Sequence, residues 1–322
     1  MSGDVDPDDP RLAGVDPDSR RDVWVKKLVY PAHTLPTAAA PVAVGVGLAL
    51  HDGVFAPLPA LAVFGFGWLV QLGGVLADNY FNLLRYRNDA EHPALVHALD
   101  AGVIELSEIK LATAAVFAVA ATLGLYLVYV GGVPVVLVGL ASMAVSLLYS
   151  LEVTDVPLHD LYFFFFFGPV SVAGTYYLQA VAVTVGPFPT RVPPGTFPPV
   201  AVLLGVPVGA ITTAILVVDN VRDLEFDRDK ADPTLAVVIG EYWSRVEYNG
   251  LLVLAYGFPA VLWLGTRLGP AVLLPLVSLP VAVLVARRMA RARTYRTLHP
   301  LSPLTGQVLL AYSLLLAVGL AV

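Results

Sequence analysis

Three aspartates, Asp219, Asp223 and Asp227, recur at intervals of four residues where an apolar stretch of the sequence ends. On a helix, each step of four residues turns the side chain by only about 40°, so the three carboxylates would share one stripe. Like charges at this spacing repel, and the carboxyl end of a helix is already negative. A divalent cation reverses that balance, because Mg²⁺ prefers carboxylate and phosphate oxygens. The stripe therefore predicts a site for Mg²⁺ and a phosphate group together.

A second polar stripe is expected at the end of an earlier apolar stretch. If the helix continues there, Asp78, Asn82, Arg85 and Asp89 fall within roughly 60° of one another. Both stripes would emerge at the same, cytoplasmic, surface of a membrane, which indicates a parallel pseudo-repeat. Two acidic stripes that face each other, with basic residues nearby, would hold metal ions and a polyanion together.

The composition of the 322-residue chain excludes a soluble globular protein. Hydrophobic residues make up 57% of the chain and charged residues only 14%, and the mean hydropathy is +0.75. Lys and Arg number 19 against 25 Asp and Glu, so no basic face supports binding to nucleic acid. The chain has no cysteine, which excludes disulfides, thiolate metal sites and cysteine nucleophiles.

Uncharged stretches of membrane-spanning length recur along the chain. The longest is divided by Gly131 to Pro134, because glycine and proline interrupt helices and a helix of that length would overshoot the bilayer. The fold class expected is therefore an all-α membrane protein with nine transmembrane helices. We place them near residues 28–51, 57–84, 108–130, 134–151, 159–184, 198–219, 246–267, 270–287 and 302–322.

The basic residues predict the orientation of these spans. With a cytoplasmic amino terminus, all Lys and Arg except Arg191 and Arg267 fall on the cytoplasmic side. The active-site loops would then be cytoplasmic and the carboxyl terminus extracytoplasmic. Residues 1–27, which are acidic and contain several prolines, are expected to form a disordered cytoplasmic tail. Residues 28–322 are expected to form one transmembrane domain.

Several segments carry a resemblance to a known family. The second acidic cluster and its continuation resemble the second aspartate-rich motif of the UbiA superfamily of intramembrane prenyltransferases. Within that family the sequence most resembles the 1,4-dihydroxy-2-naphthoate prenyltransferases of menaquinone synthesis. The matching segments are Arg222 to Asp227 with Lys230 and Pro233 to Gly240, Pro31 to Pro36, and Phe166 to Gln179.

The resemblance implies roles for individual residues. Two Mg²⁺ ions would be bound by carboxylate and amide groups of both motifs, and phosphate or acceptor groups would contact further polar residues. The implied metal ligands are Asp78, Asn82, Asp89, Asp219, Asp223 and Asp227, and four of these, Asp78, Asn82, Asp219 and Asp223, together with Tyr149, would be catalytic. The implied substrate-binding residues are Arg222, Lys230, Arg85, Tyr176, Tyr177 and Gln179.

The resemblance also implies the reaction. A polyprenyl diphosphate would lose diphosphate with the help of Mg²⁺, the apolar bundle would exclude water, and the naphthoate ring would take the prenyl chain and lose CO₂. Two departures from the family pattern affect this expectation. Asp78 and Asn82 stand where the family has Asn and Asp, as if exchanged, and the loop before the fifth span is short, ending in His159 and Asp160.

Other functions stay open at this stage. The acceptor could be another aromatic compound, a lipid or a carotenoid, because the altered motif and the short loop permit it. A transporter that couples ions through membrane carboxylates predicts acids near the bilayer midplane and often inverted repeats, whereas these acids collect at one surface. A protein that binds isoprenoid diphosphate without turning it over is a further alternative. Membrane lipid is the remaining expected partner.

Overall fold

The computed structural model describes residues 15–29, 34–85, 93–150, 159–229 and 234–322, and every regular element within these ranges is helical. Two π-helical segments, Val23–Val29 and Phe166–Val170, and a 3₁₀ helix, Pro270–Ser278, adjoin the α-helices. The α-helices are α1 (Arg20–Asp22), α2 (Thr34–His51), α3 (Pro57–Arg85), α4 (Pro93–Asp100), α5 (Leu106–Ser150), α6 (His159–Phe165), α7 (Ser171–Thr184), α8 (Pro199–Arg222), α9 (Leu224–Asp229), α10 (Leu235–Gly265), α11 (Leu279–Arg291), α12 (Tyr295–Leu298) and α13 (Leu301–Ala321).

Seven helical segments of the described chain are long and apolar enough to cross a membrane, and Leu35–His51 is a shorter apolar helix. This confirms an all-helical, multi-pass membrane protein. The count of nine spans stays a prediction. It would require α2 to cross the membrane and α5 to cross it twice.

The interruption predicted at Gly131 to Pro134 is present within α5. Gly132 has a φ of 65° and a ψ of −151°, a left-handed conformation that suits glycine. The loop after α7 packs against this point: the amide of Val133 donates to the carbonyl of Pro189 at 2.9 Å. A methyl group on Gly132 would overlap that same carbonyl. The kink therefore needs glycine for its backbone angle and for its lack of a side chain.

The seventh apolar helix begins earlier than predicted. We placed it at 246–267, but α10 begins at Leu235, where the Thr234 hydroxyl accepts a hydrogen bond from the amide of Val237. The helix bends at Gly240, whose φ is 81°. The charged residues that follow Gly240 lower the hydropathy of this stretch, so a hydropathy argument misses the extension. The helix cap and the bend depend on local backbone geometry instead.

The described chain forms two compact units. The larger comprises Pro36–Phe64 and Leu125–Val322, and α8 lies at its centre against α6, α7, α10 and α13. The helices cross closely because small residues face one another: a side chain on Gly209 would strike the carbonyl of Phe164, and one on Gly205 would strike Pro169. These contacts fix α6 and α7 antiparallel to α8.

The smaller unit comprises the described residues within the stretches 1–35 and 65–124. The disordered tail expected over residues 1–27 stays a prediction, and within the described part of that segment residues 20–27 are helical. Val23 and Leu28 are fully buried in a cluster with Leu76 and Leu95. Trp24 and Val29 pack partly buried against the same cluster, whereas Val25 is exposed.

Candidate active site

The acidic end of α8 is less regular than a continuous helical stripe. The helix ends at Arg222, Asp223 leaves helical geometry with a ψ of 6°, and α9 starts at Leu224. Two hydrogen bonds of helical spacing survive across this break, from the amide of Asp223 to the carbonyl of Asp219 and from the amide of Asp227 to the carbonyl of Asp223, both 2.9 Å. The three aspartates therefore still follow one another at nearly helical positions.

Arg222 joins the first two of these carboxylates. One terminal guanidinium nitrogen lies 2.6 Å from Oδ1 of Asp219, and the other lies 2.5 Å from Oδ2 of Asp223. Nε donates a third bond to Oδ1 of Asp223 at 2.9 Å. The three side chains are only 19–22% exposed, so solvent screens their charges weakly. One cation thus holds two carboxylates side by side at the end of an apolar helix.

Two residues from a later part of the chain contact this cluster. The hydroxyl of Ser302 donates to Oδ2 of Asp219 at 3.1 Å, and the Arg222 guanidinium lies 5.7 Å from the centre of the Tyr295 ring. Neither residue was predicted from the sequence. Serine and tyrosine near a membrane end are too common to signal a role, and their distance along the chain gives no indication of contact.

The third aspartate lies apart from this ion pair. Oδ2 of Asp227 accepts a bond from the Thr234 hydroxyl at 3.4 Å, which links α9 to the start of α10. Within the described residues, no group of three or more acidic or histidine side chains is placed to hold a metal ion.

The donor set nevertheless fits Mg²⁺ in one particular way. Protein sites commonly hold this ion by one or two carboxylates and leave the other positions to substrate phosphates and water. Asp219 and Asp223 are two such carboxylates, already drawn together by a positive group. These residues therefore suit a metal ion that binds together with a diphosphate. They do not form a site that encloses the ion by protein ligands alone.

The first motif lies in the smaller unit and keeps its helix. As expected, α3 continues to Arg85, and Nδ2 of Asn82 donates to Oδ2 of Asp78 at 3.3 Å. Asp78 is exposed, whereas its neighbour Asn79 is buried and donates to the carbonyl of Val75. The predicted pair is thus brought together along one helix face. Its expected contact with the second motif stays a prediction.

Some predicted site residues lie outside the description. Asp89 and Lys230 fall in the gaps 86–92 and 230–233, and the side chains of Arg85 and Tyr149 are likewise outside the described set. Their expected roles stay predictions.

Three predicted substrate-binding residues lie toward the end of α7 that is remote from Asp219. The Tyr176 hydroxyl donates to Oδ2 of Asp52 at 2.6 Å, and the Tyr177 hydroxyl donates to the carbonyl of Gly131 at 2.8 Å. Gln179 accepts a bond from the amide of Ala56 at 3.4 Å. Because α7 runs antiparallel to α8, these side chains contact residues far from Asp219: the turn between α2 and α3, and the kink of α5. Their contact with substrate stays a prediction.

Two ion pairs at the surface of the smaller unit lie outside this site. Nζ of Lys26 donates to Oδ2 of Asp22 at 2.6 Å. This hydrogen bond lowers the pKa of the Asp22 carboxyl, and a backbone bond from Asp16 lowers it further. Arg20 pairs with Glu108 at 2.7 Å, and that bond raises the pKa of the guanidinium. Both pairs belong to the smaller unit and help to hold its amino-terminal segment.

Comparison with known proteins decides the family. The sequence matches the UbiA prenyltransferase family over residues 38–320, which is most of the chain. The chain belongs to the UbiA prenyltransferase family. This UbiA-family protein is therefore a multi-pass membrane enzyme that transfers prenyl groups, as the resemblance in its motifs predicted.

The curated relatives of this UbiA-family protein carry a more specific name. It is 30% identical to a 1,4-dihydroxy-2-naphthoate octaprenyltransferase of Mycobacterium tuberculosis, over 89% of this chain and 94% of the relative. It is 29% identical to a protein of the same name in Escherichia coli, over 73% and 74% of the two chains.

Solved structures support the same fold. A UbiA homologue from Aeropyrum pernix gives a TM-score of 0.64 at 16% identity, over 89% of this UbiA-family chain and 98% of that one. A structure described as a digeranylgeranylglyceryl phosphate synthase gives 0.55 at 15% identity, over 94% and 99%. At these identities the likeness concerns the fold alone.

Proposed function

We propose that this protein transfers a polyprenyl chain from polyprenyl diphosphate to 1,4-dihydroxy-2-naphthoate with loss of CO₂, in a reaction that needs Mg²⁺. The names of the two bacterial relatives support the acceptor, because the similarity extends over most of both chains. The geometry at the end of α8 supports a diphosphate as the prenyl donor.

The single observation that carries the proposal is the Arg222 guanidinium held between Asp219 and Asp223. Two carboxylates and one cation leave a net negative charge, so the cluster attracts a further cation. Once such a cation binds the carboxylates, the guanidinium is released to bind phosphate oxygens, for which its planar donor pairs are suited. The same three residues thus provide for a metal ion and for the diphosphate that it accompanies.

The chain's own residues account for the remaining requirements. Bound Mg²⁺ would neutralise the negative charge that develops on the departing diphosphate. Asp219 and Asp223 would hold the ion, with Asp78, Asn82 and Asp227 as the expected further ligands. Ser302 fixes one Asp219 oxygen, which limits the orientations of that carboxylate. The apolar helices would enclose the isoprenoid chain and keep water from the allylic carbon.

The acceptor is tested by mass spectrometry of the products. Purified protein in lipid nanodiscs would be given geranylgeranyl diphosphate, Mg²⁺ and one acceptor at a time: 1,4-dihydroxy-2-naphthoate, 4-hydroxybenzoate, homogentisate or a glycerol phosphate lipid. We expect a prenylated, decarboxylated naphthalenediol and turnover of the other acceptors at background level. Efficient prenylation of another acceptor, with none of the naphthoate, would refute the acceptor assignment and retain the enzyme class.

The metal requirement is tested on the same preparation. Chelation with EDTA should abolish transfer and Mg²⁺ should restore it, whereas Ca²⁺ should restore much less because it demands more and longer oxygen contacts. Full activity after chelation would remove the metal from the mechanism.

We propose further that the acidic end of α8 faces the cytoplasm. The chain has no cysteine, so single cysteines can be introduced as markers without background. A thiol reagent that cannot cross membranes should label Arg191→Cys in intact cells and Glu225→Cys only after the cells are opened. The reverse pattern would invert the orientation.

A further inference from the structure

A short segment that follows α11 lies against the acidic cluster at the end of α8. It covers residues 292–300 and contains α12, whose first residue is Tyr295. This helix contacts α8, and the Arg222 guanidinium carbon lies over the Tyr295 ring, 5.7 Å from its centre. The function proposed above uses Arg222 but gives the ring no role. The contact raises the question of what an aromatic ring does beside this cation.

Hydrogen bonds at its start hold α12 in place. The Thr297 hydroxyl accepts bonds from the backbone amides of Arg293 and Thr294, at 3.2 and 3.1 Å. Leu298, the last residue of the helix, is buried. A helix this short is not stable by itself, so it depends on such capping and on packing. The backbone that carries Tyr295 is therefore fixed by local contacts.

Arg245 on α10 ties the beginning of the segment to the rest of the larger unit. Its guanidinium donates to the carbonyl of Ala292 at 2.7 Å and to the carbonyl of Met289. These carbonyls lie at the end of α11, where a helix lacks backbone donors of its own. Arg245 is only 9% exposed, and Glu241 pairs with it at 2.7 Å. A buried arginine with a compensated charge thus fixes the point from which the chain enters α12.

The other end of the segment is fixed as well. Ser302, in the first turn of α13, donates to Oδ2 of Asp219 at 3.1 Å, and its neighbour Leu301 is buried. Because α8, α10 and α13 pack together in the larger unit, the contacts at both ends belong to one packed core. They leave Tyr295 little freedom to move away from Arg222.

The ring contact differs in kind from the bonds that Arg222 makes to carboxylates. Its N–H groups are directed at Asp219 and Asp223, whereas the ring attracts the positive charge through its electron-rich face and uses none of those donors. A metal ion that binds the carboxylates takes the partners of the N–H groups and repels the guanidinium, but it leaves the ring contact available. Low exposure of the guanidinium strengthens that contact, because water screens it less.

We propose that Tyr295 is a positioning residue that retains the Arg222 guanidinium at the end of α8 when Mg²⁺ binds Asp219 and Asp223. The inference rests on the proposed function. Retained there, the guanidinium can direct its freed N–H groups to the oxygens of the prenyl diphosphate. Arg245 acts one step further away, because it fixes the backbone that carries Tyr295. Binding of the diphosphate should then depend on the ring, whereas the bond-making step should not.

The binding test uses geranylgeranyl S-thiolodiphosphate, an analogue whose carbon–sulfur bond resists ionisation, with Mg²⁺ and the protein in lipid nanodiscs. Tyr295→Leu should raise the Kd measured by calorimetry about tenfold, because it removes a weakly screened cation–π contact. Tyr295→Phe and Tyr295→Trp keep an aromatic face and should change Kd by less than about threefold. Tyr242→Leu, at an exposed tyrosine of α10, is the matched control and should bind like the wild type. Equal Kd values for Tyr295→Leu and the wild type, or equal losses in the leucine and phenylalanine variants, would overturn the proposal.

A double-mutant cycle separates positioning from packing. The ring acts through the guanidinium, so in an Arg222→Gln background Tyr295→Leu should change Kd by less than about twofold. A ring that only supports packing would weaken binding equally in both backgrounds, and that result would overturn the proposal. Arg245→Lys keeps the charge but loses the planar set of donors, so it should weaken binding in the wild type and add nothing to Tyr295→Leu. Additive losses would contradict the role of Arg245.

Kinetics show whether this inference or the proposed function fails. With 1,4-dihydroxy-2-naphthoate as acceptor, Tyr295→Leu should raise the KM for geranylgeranyl diphosphate about tenfold and leave kcat within about threefold. A wild type that does not bind the analogue would refute the proposed donor and the inference together. Normal turnover with an unchanged KM in Tyr295→Leu would refute the inference alone. Thermal unfolding checks each variant, and the more adaptable Tyr295→Met replaces the leucine variant if that one does not fold.

Discussion

The two acidic motifs of this protein differ in how the charge of their carboxylates is compensated. In the larger unit, Asp219 and Asp223 are largely enclosed and share the Arg222 guanidinium at 2.5–2.6 Å. In the smaller unit, exposed Asp78 is accompanied by the neutral amide of Asn82 at 3.3 Å. The first arrangement needs a cation of its own, because solvent screens these two enclosed carboxylates weakly and they would otherwise repel each other. In the second, Asp78 faces solvent, which screens its charge.

The comparison indicates which motif is preorganised. An enclosed cluster that already contains a cation can exchange it for another with little rearrangement, whereas an exposed carboxylate and amide must become ordered when a ligand binds. Substitutions in the enclosed cluster should therefore affect catalysis most, and loss of its cation should also lower stability, whereas substitutions in the smaller unit should affect ligand affinity first.

The largest effect is expected from Asp223→Asn. The change removes one of the two carboxylates that would hold the metal and leaves Arg222 paired with Asp219 alone. Prenyl transfer should fall by about 100-fold or more, while expression and helical content stay normal. The measurement is product formation under saturating Mg²⁺, with Glu225→Gln as the control for loss of charge. Unchanged activity would contradict the assignment of this cluster as the metal site.

Arg222→Gln tests the built-in cation. Two neighbouring carboxylates would then be left uncompensated and mostly enclosed, so the free energy of unfolding should fall by about 2 kcal/mol. Added Mg²⁺ should recover most of that loss, because it would take the place of the guanidinium, and it should stabilise the wild type much less. Thermal unfolding in detergent, with and without Mg²⁺, measures both. Equal Mg²⁺ stabilisation in the two proteins would argue against the exchange.

Exchanging the two polar residues of the first motif should have a smaller effect. The double variant Asp78→Asn with Asn82→Asp restores the order that the family usually shows, and it keeps the charge and the common helix face. We expect kcat to change by less than about tenfold and the Mg²⁺ dependence to shift modestly, since ligand contacts rather than charge are altered. Complete loss of activity would mean that the exchange fixes the geometry of the site.

The smallest effect is expected from the surface pair of half-buried Asp22 and exposed Lys26. The Lys26 hydrogen bond lowers the pKa of Asp22 below its ordinary value of 3.8, so the pair stabilises the folded state above that pH. This contribution is lost as the pH falls through the lowered pKa of the folded state. Asp22→Asn should thus leave unfolding at pH 7 nearly unchanged and weaken its acid dependence slightly. A large change at pH 7 would show that exposure does not separate this pair from the Arg222 cluster.

Much of the architecture follows from local properties of the sequence. Runs of apolar residues specify membrane helices, because an unpaired backbone cannot cross hydrocarbon. The break in α5 was predictable because Gly131, Gly132 and Pro134 act on the chain directly at that point. The bend of α10 at Gly240 was missed, since a single glycine within a polar stretch does not distinguish a bend from an ordinary helix position.

Within the candidate site, the sequence by itself determined the residue types, the four-residue spacing of the aspartates and the family to which the chain belongs. Spacing is a property of one helix, so it is visible before the chain folds. The tertiary structure decided which side chains meet: Arg222 with two carboxylates, and Ser302 with Asp219. Those contacts join residues that are remote in sequence or turn on side-chain orientation. They are fixed only when helices pack, because burial then determines what each charge costs.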